Sequence, residues 1–417
     1  MDLLHVLPFV AMLLGIALLP IAAPHLWEHP AGPIGLTVVC SIPTIVGAVA
    51  AGELHGIAEG LGDYVAFIAL IAALYVTAGG IRISGHPRGT PLVNGSLLAI
   101  GAGAASLIGT TGASMLLIRP LLEANRERVL KTHIVVFFIL IVSNCGGLLT
   151  PLGDPPLYLG YLNGVPFTFP LSLWPAWLIA VGMLLAAFVV WDWRMHQRET
   201  PAALALDEAH VTRLRVDGTV NFLVALGIIA TSAGGVPHPW RELLFAGLIA
   251  VSLAVTPAGV REANGFTYAP IKEVAILFLG IFITMVPAIE ALKHIAPSLP
   301  VNTPVGLFFM SGALSSVLDN APTYLIFASL AAERAGLGTD LGALSVHFPQ
   351  LLAAVSVGSV FMGANTYIGN GPNLLVKAVA EGAGDARVAM PNFITYAALA
   401  VAILTPVYIA VVLLMFA

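Results

Sequence analysis

Charged residues are scarce in this sequence. Only 9% of its 417 residues are Asp, Glu, Lys or Arg, whereas an average soluble domain contains about 25%. A soluble protein of this length would need far more charge to cover its surface. The scarcity therefore excludes a cytosolic enzyme and a disordered chain. With 17 Lys and Arg residues and a net charge of −5, the sequence also predicts no nucleic-acid partner.

Cysteine is nearly absent as well. Cys40 and Cys145 both lie in apolar runs, so they predict neither a disulfide framework nor a metal site. Hydrophobic residues, in contrast, make up 58% of the chain and form long runs. The sequence therefore predicts an all-α polytopic membrane protein whose first partner is the lipid bilayer. We expect it in the inner (plasma) membrane of a bacterial-type cell.

The apolar runs predict the membrane spans. A hydrocarbon core about 30 Å thick needs about 20 apolar residues per helix. The clear candidates are residues 3–23, 31–51, 63–81, 171–193, 219–236, 241–257, 271–292 and 391–416. Two longer stretches, 132–163 and 348–382, contain Gly, Pro and Asn and predict broken spans, in which we expect residues 144–156 and 365–373 to be non-helical. Two others, 91–122 and 304–333, have a polar cluster in the middle.

Basic residues predict the topology, because Lys and Arg concentrate in cytoplasmic loops. The basic segments are 82–88, 119–131, 194–215 and 261–272. Since the first two flank 91–122, that stretch must enter and leave on one side, as a re-entrant hairpin. The second half repeats the pattern upside down, so 304–333 forms a hairpin from the outside. We expect ten spans with both termini outside. We expect His133, which begins a span, to lie near the headgroups.

The two halves share a motif at their interruptions. Residues 147–157 read GLLTPLGDPPL and residues 363–373 read GANTYIGNGPN, so that Gly, Thr, Gly and Pro align and Asp154 matches Asn370. Broken helices are tolerated in a membrane only where the freed backbone groups line a polar site. The repeat predicts four segments: an extra N-terminal span (1–30), a first repeat (31–193), a cytoplasmic linker with a connecting span (194–240) and a second repeat (241–417).

Three segments carry a resemblance to a known family. SNCGGLLTPLGDPPLYLGY, VLDNAPTYLIF and GANTYIGNGPNLLVKAVAE resemble motifs of the ion transporter superfamily. They are most similar to the branch of NhaD-type sodium/proton antiporters and citrate transporters, with arsenite-pump membrane subunits as relatives. The resemblance implies two inverted-topology repeats, two re-entrant hairpins, broken helices and a scaffold that often dimerises, so a homodimer is open. In the divalent-anion branch, Ser-Asn-Thr motifs at the hairpin tips bind sodium and carboxylate. Here the tips read 109-Gly-Thr-Thr-111 and 319-Asp-Asn-Ala-321, which is a departure.

Asp319 is the first candidate for an ion-binding residue. An ionised carboxylate near the bilayer centre costs at least about 2.5 kcal/mol, so such residues usually face a functional cavity. Asp154 is the second candidate, and sodium is the metal ion expected at both. Either residue could instead cap a half-helix. Further candidates with amide or hydroxyl oxygens are Asn320, Asn144, Asn365, Asn370, Asn373, Thr366, Thr110, Thr111, Thr150 and Ser114.

Charge favours one function over its alternatives. No Lys or Arg lies in a hairpin tip or a break, and two carboxylates among amide and hydroxyl oxygens suit a small hard cation. The sequence therefore favours a sodium/proton antiporter that works by alternating access, with Na⁺ and H⁺ transported and no cofactor. A cation-coupled citrate or dicarboxylate symporter is the main alternative. A carrier of another small anion and a hydrolase that uses Ser114 or Ser143 are weaker ones.

Overall fold

The apolar runs are helical in the computed structural model, which describes residues 3–27, 29–52, 54–295 and 303–417. The α-helices in chain order are α1 Leu7–Ala22, α2 Pro24–Trp27, α3 Ala31–Ala51, α4 Leu54–Gly79, α5 Pro91–Ile108, α6 Thr110–Ala124, α7 Thr132–Ile141, α8 Pro155–Leu162, α9 Trp174–His196, α10 Pro201–Ala209, α11 Val220–Ala233, α12 Trp240–Val255, α13 Val260–Ala263, α14 Ala269–Ile295, α15 Pro304–Ser315, α16 Asn320–Arg334, α17 Leu341–His347, α18 Pro349–Met362, α19 Gly371–Glu381 and α20 Phe393–Met415. Short 3₁₀ helices occupy Leu3–Val6, Cys145–Leu149, Phe169–Leu173, Gly363–Asn365 and Gly384–Ala386.

Several helices are long enough to cross a membrane. Among the described residues, seven segments meet the length and composition of a span: Ala31–Ala51, Leu54–Gly79, Pro91–Ile108, Thr132–Leu149, Phe169–His196, Ala269–Ala291 and Phe393–Met415. A pair bent by 114° at Phe348, Leu341–His347 with Pro349–Asn365, would make eight. These segments confirm an all-α polytopic membrane protein. The predicted spans 219–236 and 241–257 form shorter helices of 14 and 16 residues, so the number of ten spans stays a prediction.

A small β-ribbon departs from the all-α expectation. Strand β1, Arg82–Ser84, pairs antiparallel with strand β2, Arg215–Asp217. Ile83 lies opposite Val216 in this ribbon. Both strands come from basic loops that the sequence places on the same side of the membrane. The ribbon therefore joins the loop before α5 to the linker that precedes α11.

The helices pack into two groups. Helices α1, α3, α4, α11, α12 and α14 contact one another and form the frame bundle. Helices α5 to α9, α15, α16 and α18 to α20 form the site bundle. Each predicted repeat contributes helices to both bundles. The bundles meet where α4 contacts α6 and α8, and where α14 contacts α16.

Two helix pairs in the site bundle fold back on themselves. The α5–α6 turn lies at Gly109, whose φ of +82° is in the left-handed region that favours glycine. A Cβ atom at Gly101 would lie 3.1 Å from Cδ1 of Leu117, which shows the two arms side by side. Helices α15 and α16 also pack together, around a break at residues 316–319. Both predicted hairpins, 91–122 and 304–333, coincide with these pairs.

The two broken spans differ in one detail from the prediction that residues 144–156 and 365–373 are non-helical. Each break contains a 3₁₀ turn, but α8 already begins at Pro155 and α19 at Gly371. The prediction was wrong for these helix starts. Proline lacks only an N–H group that has no partner in the first turn of a helix, so Pro155 begins α8 without loss of a hydrogen bond.

Candidate functional site

Asp154 lies at the centre of the site bundle, and its side chain is 1% exposed. Its Oδ1 atom accepts hydrogen bonds from Thr110 Oγ1 at 2.9 Å and from Asn370 Nδ2 at 3.1 Å. Its Oδ2 atom accepts one from Asn320 Nδ2 at 2.6 Å. Asp154 precedes α8 but makes no side-chain cap bond to it. The carboxyl group therefore joins both helix pairs and both breaks, and capping does not explain its position.

The two halves surround Asp154 with matching bonds. In the first half, Thr150 Oγ1 donates a hydrogen bond to the backbone oxygen of Ser106. In the second half, Thr366 Oγ1 donates one to the backbone oxygen of Ser316 at 2.5 Å. Each threonine follows a 3₁₀ turn and fixes its break to the neighbouring helix pair. Thr150 and Thr366, both site candidates from the sequence, therefore hold the backbone in the described contacts.

Ser106 and Ser316 are residues that sequence reasoning missed. The Ser106 hydroxyl donates to the backbone oxygen of Gly146 at 2.5 Å, and that of Ser316 donates to the backbone oxygen of Met362 at 3.1 Å. Each serine thus ties a helix pair to a break through both its side chain and its carbonyl. The sequence carried a signal for them, because each lies four residues before a site candidate: Ser106 before Thr110 and Ser316 before Asn320.

Asn144 and Asn373 satisfy backbone groups that the breaks release. Asn144 Nδ2 donates to Asn373 Oδ1 and to the Ile139 carbonyl, both at 2.8 Å. Asn373 Nδ2 donates to the carbonyls of Gly363 and Thr366, both at 2.9 Å. Both side chains are fully buried. Their amide groups therefore pair with oxygens that would otherwise be buried without a hydrogen-bond partner.

The two remaining asparagine candidates differ in the state of their oxygens. Asn365 is partnered on both ends, since its Nδ2 donates to Ser316 Oγ at 2.9 Å and its Oδ1 accepts from Tyr408 at 2.8 Å. Asn320 donates its Nδ2 to Asp154, but its buried Oδ1 atom has no hydrogen-bond partner. An unpaired buried oxygen costs about 1–3 kcal/mol. The Asn320 oxygen is therefore open to a ligand.

Asp319 occupies a different environment from Asp154. Its side chain is half-buried and accepts a hydrogen bond from the backbone nitrogen of Ala321 at 3.0 Å, which caps α16. Among the described residues, no side chain donates a hydrogen bond to its carboxyl group. It lies within electrostatic range of Asp154. The structure thus gives Asp319 the cap geometry that the sequence left open as an alternative.

A small cavity reaches Asp154 at the junction of the two bundles. It has a volume of about 40 Å³, which is room for two or three water molecules at about 10–15 Å³ each. The Tyr158 hydroxyl, one turn along α8, is buried and has no partner. Thr111 lines the cavity as well. The remaining lining residues are Phe67, Leu70, Ile71, Leu74, Tyr75, Ile108, Gly109, Thr110, Gly112, Pro151, Leu152, Gly153 and Pro155.

Ser114 bonds to Ser143 and not to Asp154 in the described contacts. Its Oγ atom is 2.8 Å from that of Ser143, and both side chains are fully buried. No group of three or more His, Cys, Asp or Glu side chains in the described part of the chain could hold a metal ion. A resident metal centre built from such ligands is therefore not seen there, and Asp154 is surrounded by amides and hydroxyls instead.

A second buried polar cluster lies at the far ends of α5 and α6. Asn94 and Asn125 exchange two hydrogen bonds, at 2.9 and 2.7 Å, which tie the two arms together. Arg128 pairs with Asp192 of α9 at 2.6 Å. His133 Nε2 lies 2.9 Å from the same carboxylate and is only 8% exposed, so its ring is buried inside the protein, while its depth near the headgroups stays a prediction. The buried Asp192 carboxylate draws the ring inward.

Comparison with known proteins agrees with this architecture. The profile of a family described as "Putative citrate transport" matches residues 1–416. An uncharacterized transporter of Mycobacterium tuberculosis is 25% identical over 316 residues, which cover 71% of this chain and 71% of that protein. An uncharacterized transporter of Mycobacterium bovis matches to the same extent. Neither match distinguishes an NhaD-type antiporter from other carriers. The chain belongs to the transporter family described as "Putative citrate transport" and is an integral, multi-pass membrane protein.

Proposed function

We propose that this protein is a sodium/proton antiporter in which Asp154 binds sodium and protons in turn. One observation carries the proposal: the buried Asp154 carboxyl group is held by the neutral side chains of Thr110, Asn320 and Asn370. In the described residues no Lys or Arg contacts it. A buried carboxylate without a positive partner is very costly, so it must hold a proton or a cation.

The oxygens near Asp154 suit a small hard cation. Sodium could take a carboxylate oxygen of Asp154 and the unpartnered Oδ1 atom of Asn320. Thr110 and Thr111 could add hydroxyl oxygens from the first turn of α6. Hard cations prefer such oxygen ligands. The cavity of about 40 Å³ fits a partly hydrated ion in this conformation, whereas a citrate molecule exceeds it.

Sodium and protons would compete for one carboxyl group. Burial favours the neutral form, so the cation-free site holds a proton, and sodium binding releases it. By linkage, a lower pH must weaken sodium binding, by up to about tenfold per pH unit when one proton is displaced. Alternating access would then expose the sodium-bound and proton-bound states on opposite sides of the membrane. This competition is the coupling step of the proposed antiport.

We propose a secondary role for Asp319, the first candidate from the sequence. Its carboxyl group caps α16, the helix that begins with Asn320, so it fixes the residue that donates to Asp154. Its charge also lies near Asp154 and would add to the attraction for a cation. Asp319 would therefore tune the site and Asp154 would exchange the ions.

Transport by reconstituted protein tests the proposal. Proteoliposomes with an internal pH-sensitive dye would receive sodium, lithium, potassium or citrate against a fixed proton gradient. We expect sodium to drive proton flux in the native protein, and Asp154→Asn to lower it more than about 100-fold, as the loss of an essential proton carrier does. Asp319→Asn is the matched control and should keep measurable exchange. Native-like exchange in Asp154→Asn would refute the assignment.

Cation-coupled citrate or dicarboxylate symport is the second candidate. The family description favours it. In this mechanism Asp154 would bind only the coupling cation, and the citrate or dicarboxylate molecule would bind at a different site. Uptake of labelled citrate that depends on sodium and produces no proton counterflow would support symport over antiport.

The proposed mechanism also needs the inverted repeats and re-entrant hairpins expected from the sequence. The folded-back pairs α5–α6 and α15–α16 and the matching bonds of Thr150 and Thr366 support them. Cysteine labelling tests the topology, with little background because the native Cys40 and Cys145 are buried. We expect Ala205→Cys to react from the cytoplasm and Thr339→Cys from the outside. The reverse pattern would invert the proposed orientation.

A further inference from the structure

We infer that a cavity between Arg82 and Arg119 binds a small di- or trivalent oxyanion. The cavity has a volume of about 490 Å³ and lies between β1, α6 and the end of α19. This volume is within the range of about 300–1,000 Å³ typical of small-molecule sites. The inference goes beyond the proposed cation exchange at Asp154 and does not depend on it.

The charges that line this cavity favour an anion. In the described residues, neither Arg82 nor Arg119 has an ion-pair partner. Two other arginines on this side of the protein are paired, Arg88 with Glu208 and Arg215 with Asp217 at 2.8 Å. An arginine presents several fixed donors that match carboxylate and phosphate oxygens. Two such groups in one cavity predict a ligand that carries at least two negative charges.

The other titratable side chains of the cavity leave this balance positive. Glu123 lines it one turn beyond Arg119 and supplies one negative charge. His86 also lines it, and its Nε2 atom lies 3.5 Å from the Asp207 carboxylate on α10. With both arginines counted, the lining carries a net positive charge even when His86 is neutral. Removal of the Glu123 charge should therefore strengthen anion binding.

The loop between α13 and α14 forms a wall of the cavity beside Arg119. Asn264 lines the cavity, and its Nδ2 atom donates to the Gly79 and Ile81 carbonyls at 3.0 and 2.7 Å, which fixes this loop. A Cβ atom at Gly265 would lie only 2.7 Å from Arg119 Nη2. The guanidinium group of Arg119 thus reaches this loop. An anion here would contact two elements, Arg82 in β1 and Arg119 on α6.

The oxyanion cavity and the Asp154 cavity follow one face of α6. Thr111 lines the Asp154 cavity, and Met115 and Arg119, one and two turns further, line the larger one. Eight residues of α-helix span about 12 Å. Because the Asp154 cavity is too small for an oxyanion, the anion would remain in the larger cavity. The geometry thus separates an anion site between Arg82 and Arg119 from a cation site at Asp154.

Direct binding measurements test this inference. The full-length protein in nanodiscs of neutral phosphatidylcholine would be titrated calorimetrically with citrate, inorganic phosphate and acetate. We expect citrate to bind more tightly than phosphate, and acetate weakest. Arg82→Gln and Arg119→Gln should each weaken citrate binding about tenfold, the usual scale for a charge-assisted hydrogen bond. The matched control Arg194→Gln, at an exposed arginine outside the cavity, should bind citrate normally.

Two further variants separate this site from the cation site. Glu123→Gln should bind citrate more tightly, and Asp154→Asn should bind it as the native protein does. Nanodiscs with anionic lipid test whether a lipid headgroup is the natural oxyanion: in that case they would suppress citrate binding to the native protein. The inference is overturned if no multivalent anion binds the native protein. It is also overturned if Arg82→Gln and Arg119→Gln leave the affinity unchanged, or if Asp154→Asn alone abolishes binding.

Discussion

Asp154 and Asn370 occupy the same place in the two halves of the molecule and differ in one atom. Each precedes the second helix of a broken span, neither caps it, and both are 1% exposed. They contact each other directly, Asn370 Nδ2 to Asp154 Oδ1 at 3.1 Å. The geometry is therefore duplicated and the charge is not. A single carboxylate can be neutralised by one proton or one sodium ion, which is what the proposed exchange requires.

A symmetric pair would behave differently. Two aspartates at this distance could not both ionise and would share a proton. Two asparagines would hold no charge and could not release a proton at all. The amide in the second half instead stabilises the carboxylate in the first half. Matching backbone ties thus hold both halves of the site, and the difference between Asp154 and Asn370 gives it its charge.

Moving the charge between the two halves is the strongest test of this comparison. Asp154→Asn should lower sodium-driven proton flux more than about 100-fold. The double variant with Asp154→Asn and Asn370→Asp restores one carboxylate at the matching position. We expect it to recover exchange to within about tenfold of the native rate, because Asn370 Nδ2 lies only 3.1 Å from Asp154 Oδ1 and the carboxylate would stay in nearly the same place. Flux in proteoliposomes measures both. No recovery would show that the two positions are not equivalent.

A second carboxylate should shift the pH dependence. Asn370→Asp alone would place two acids 3.1 Å apart and force one to keep a proton to higher pH. A pair that shares one proton still carries one negative charge, so sodium could bind to it without displacing that proton. We therefore expect sodium binding at neutral pH to rise about tenfold and to depend less on pH than in the native protein. A series of sodium titrations from pH 6 to pH 9 measures the shift. An unchanged profile would mean that the two side chains do not interact in the membrane.

The donors to Asp154 should contribute unequally. Asn320→Ala removes a donor and the unpartnered Oδ1 atom, so we expect sodium affinity to fall about tenfold. Thr110→Val, the matched variant on the first half, removes one hydroxyl and should lower it about threefold. Sodium titration of purified protein compares them. Equal losses would argue that the Asn320 oxygen is not a ligand.

The smallest effects should come from the serines that tie each break to its helix pair. Ser106→Ala removes a buried hydroxyl and Ser316→Ala a half-buried one, and each hydroxyl donates to a carbonyl. We expect each to lower the free energy of unfolding by about 1–2 kcal/mol, and sodium affinity to change little. Unfolding in detergent, followed by tryptophan fluorescence, measures the free energy of unfolding of each variant, and sodium titration measures its affinity. Similar losses would support the structural equivalence of the two halves, and a loss in one variant alone would argue against it.

The sequence was sufficient for the helical membrane architecture and for the approximate positions of the interruptions. Hydropathy predicts these features because the bilayer forces every exposed backbone group into a helix and admits breaks only at polar sites. It was not sufficient for helix ends or for buried ion pairs. Pro155 begins a helix instead of preceding one, and the His133 ring is buried against Asp192 of a distant helix.

What the sequence by itself determined is which residue types occupy each break, including the one Asp that matches an Asn. What only the tertiary structure decided is which of them meet. Asn320 reaches Asp154 across 166 residues of chain and Asn370 across 216, while Asp319, beside Asn320, turns back to cap its own helix. Arg82 and Arg119 line one cavity although α5 separates them. Hydropathy is a local property, whereas the partner of a buried polar group is set by how distant helices pack.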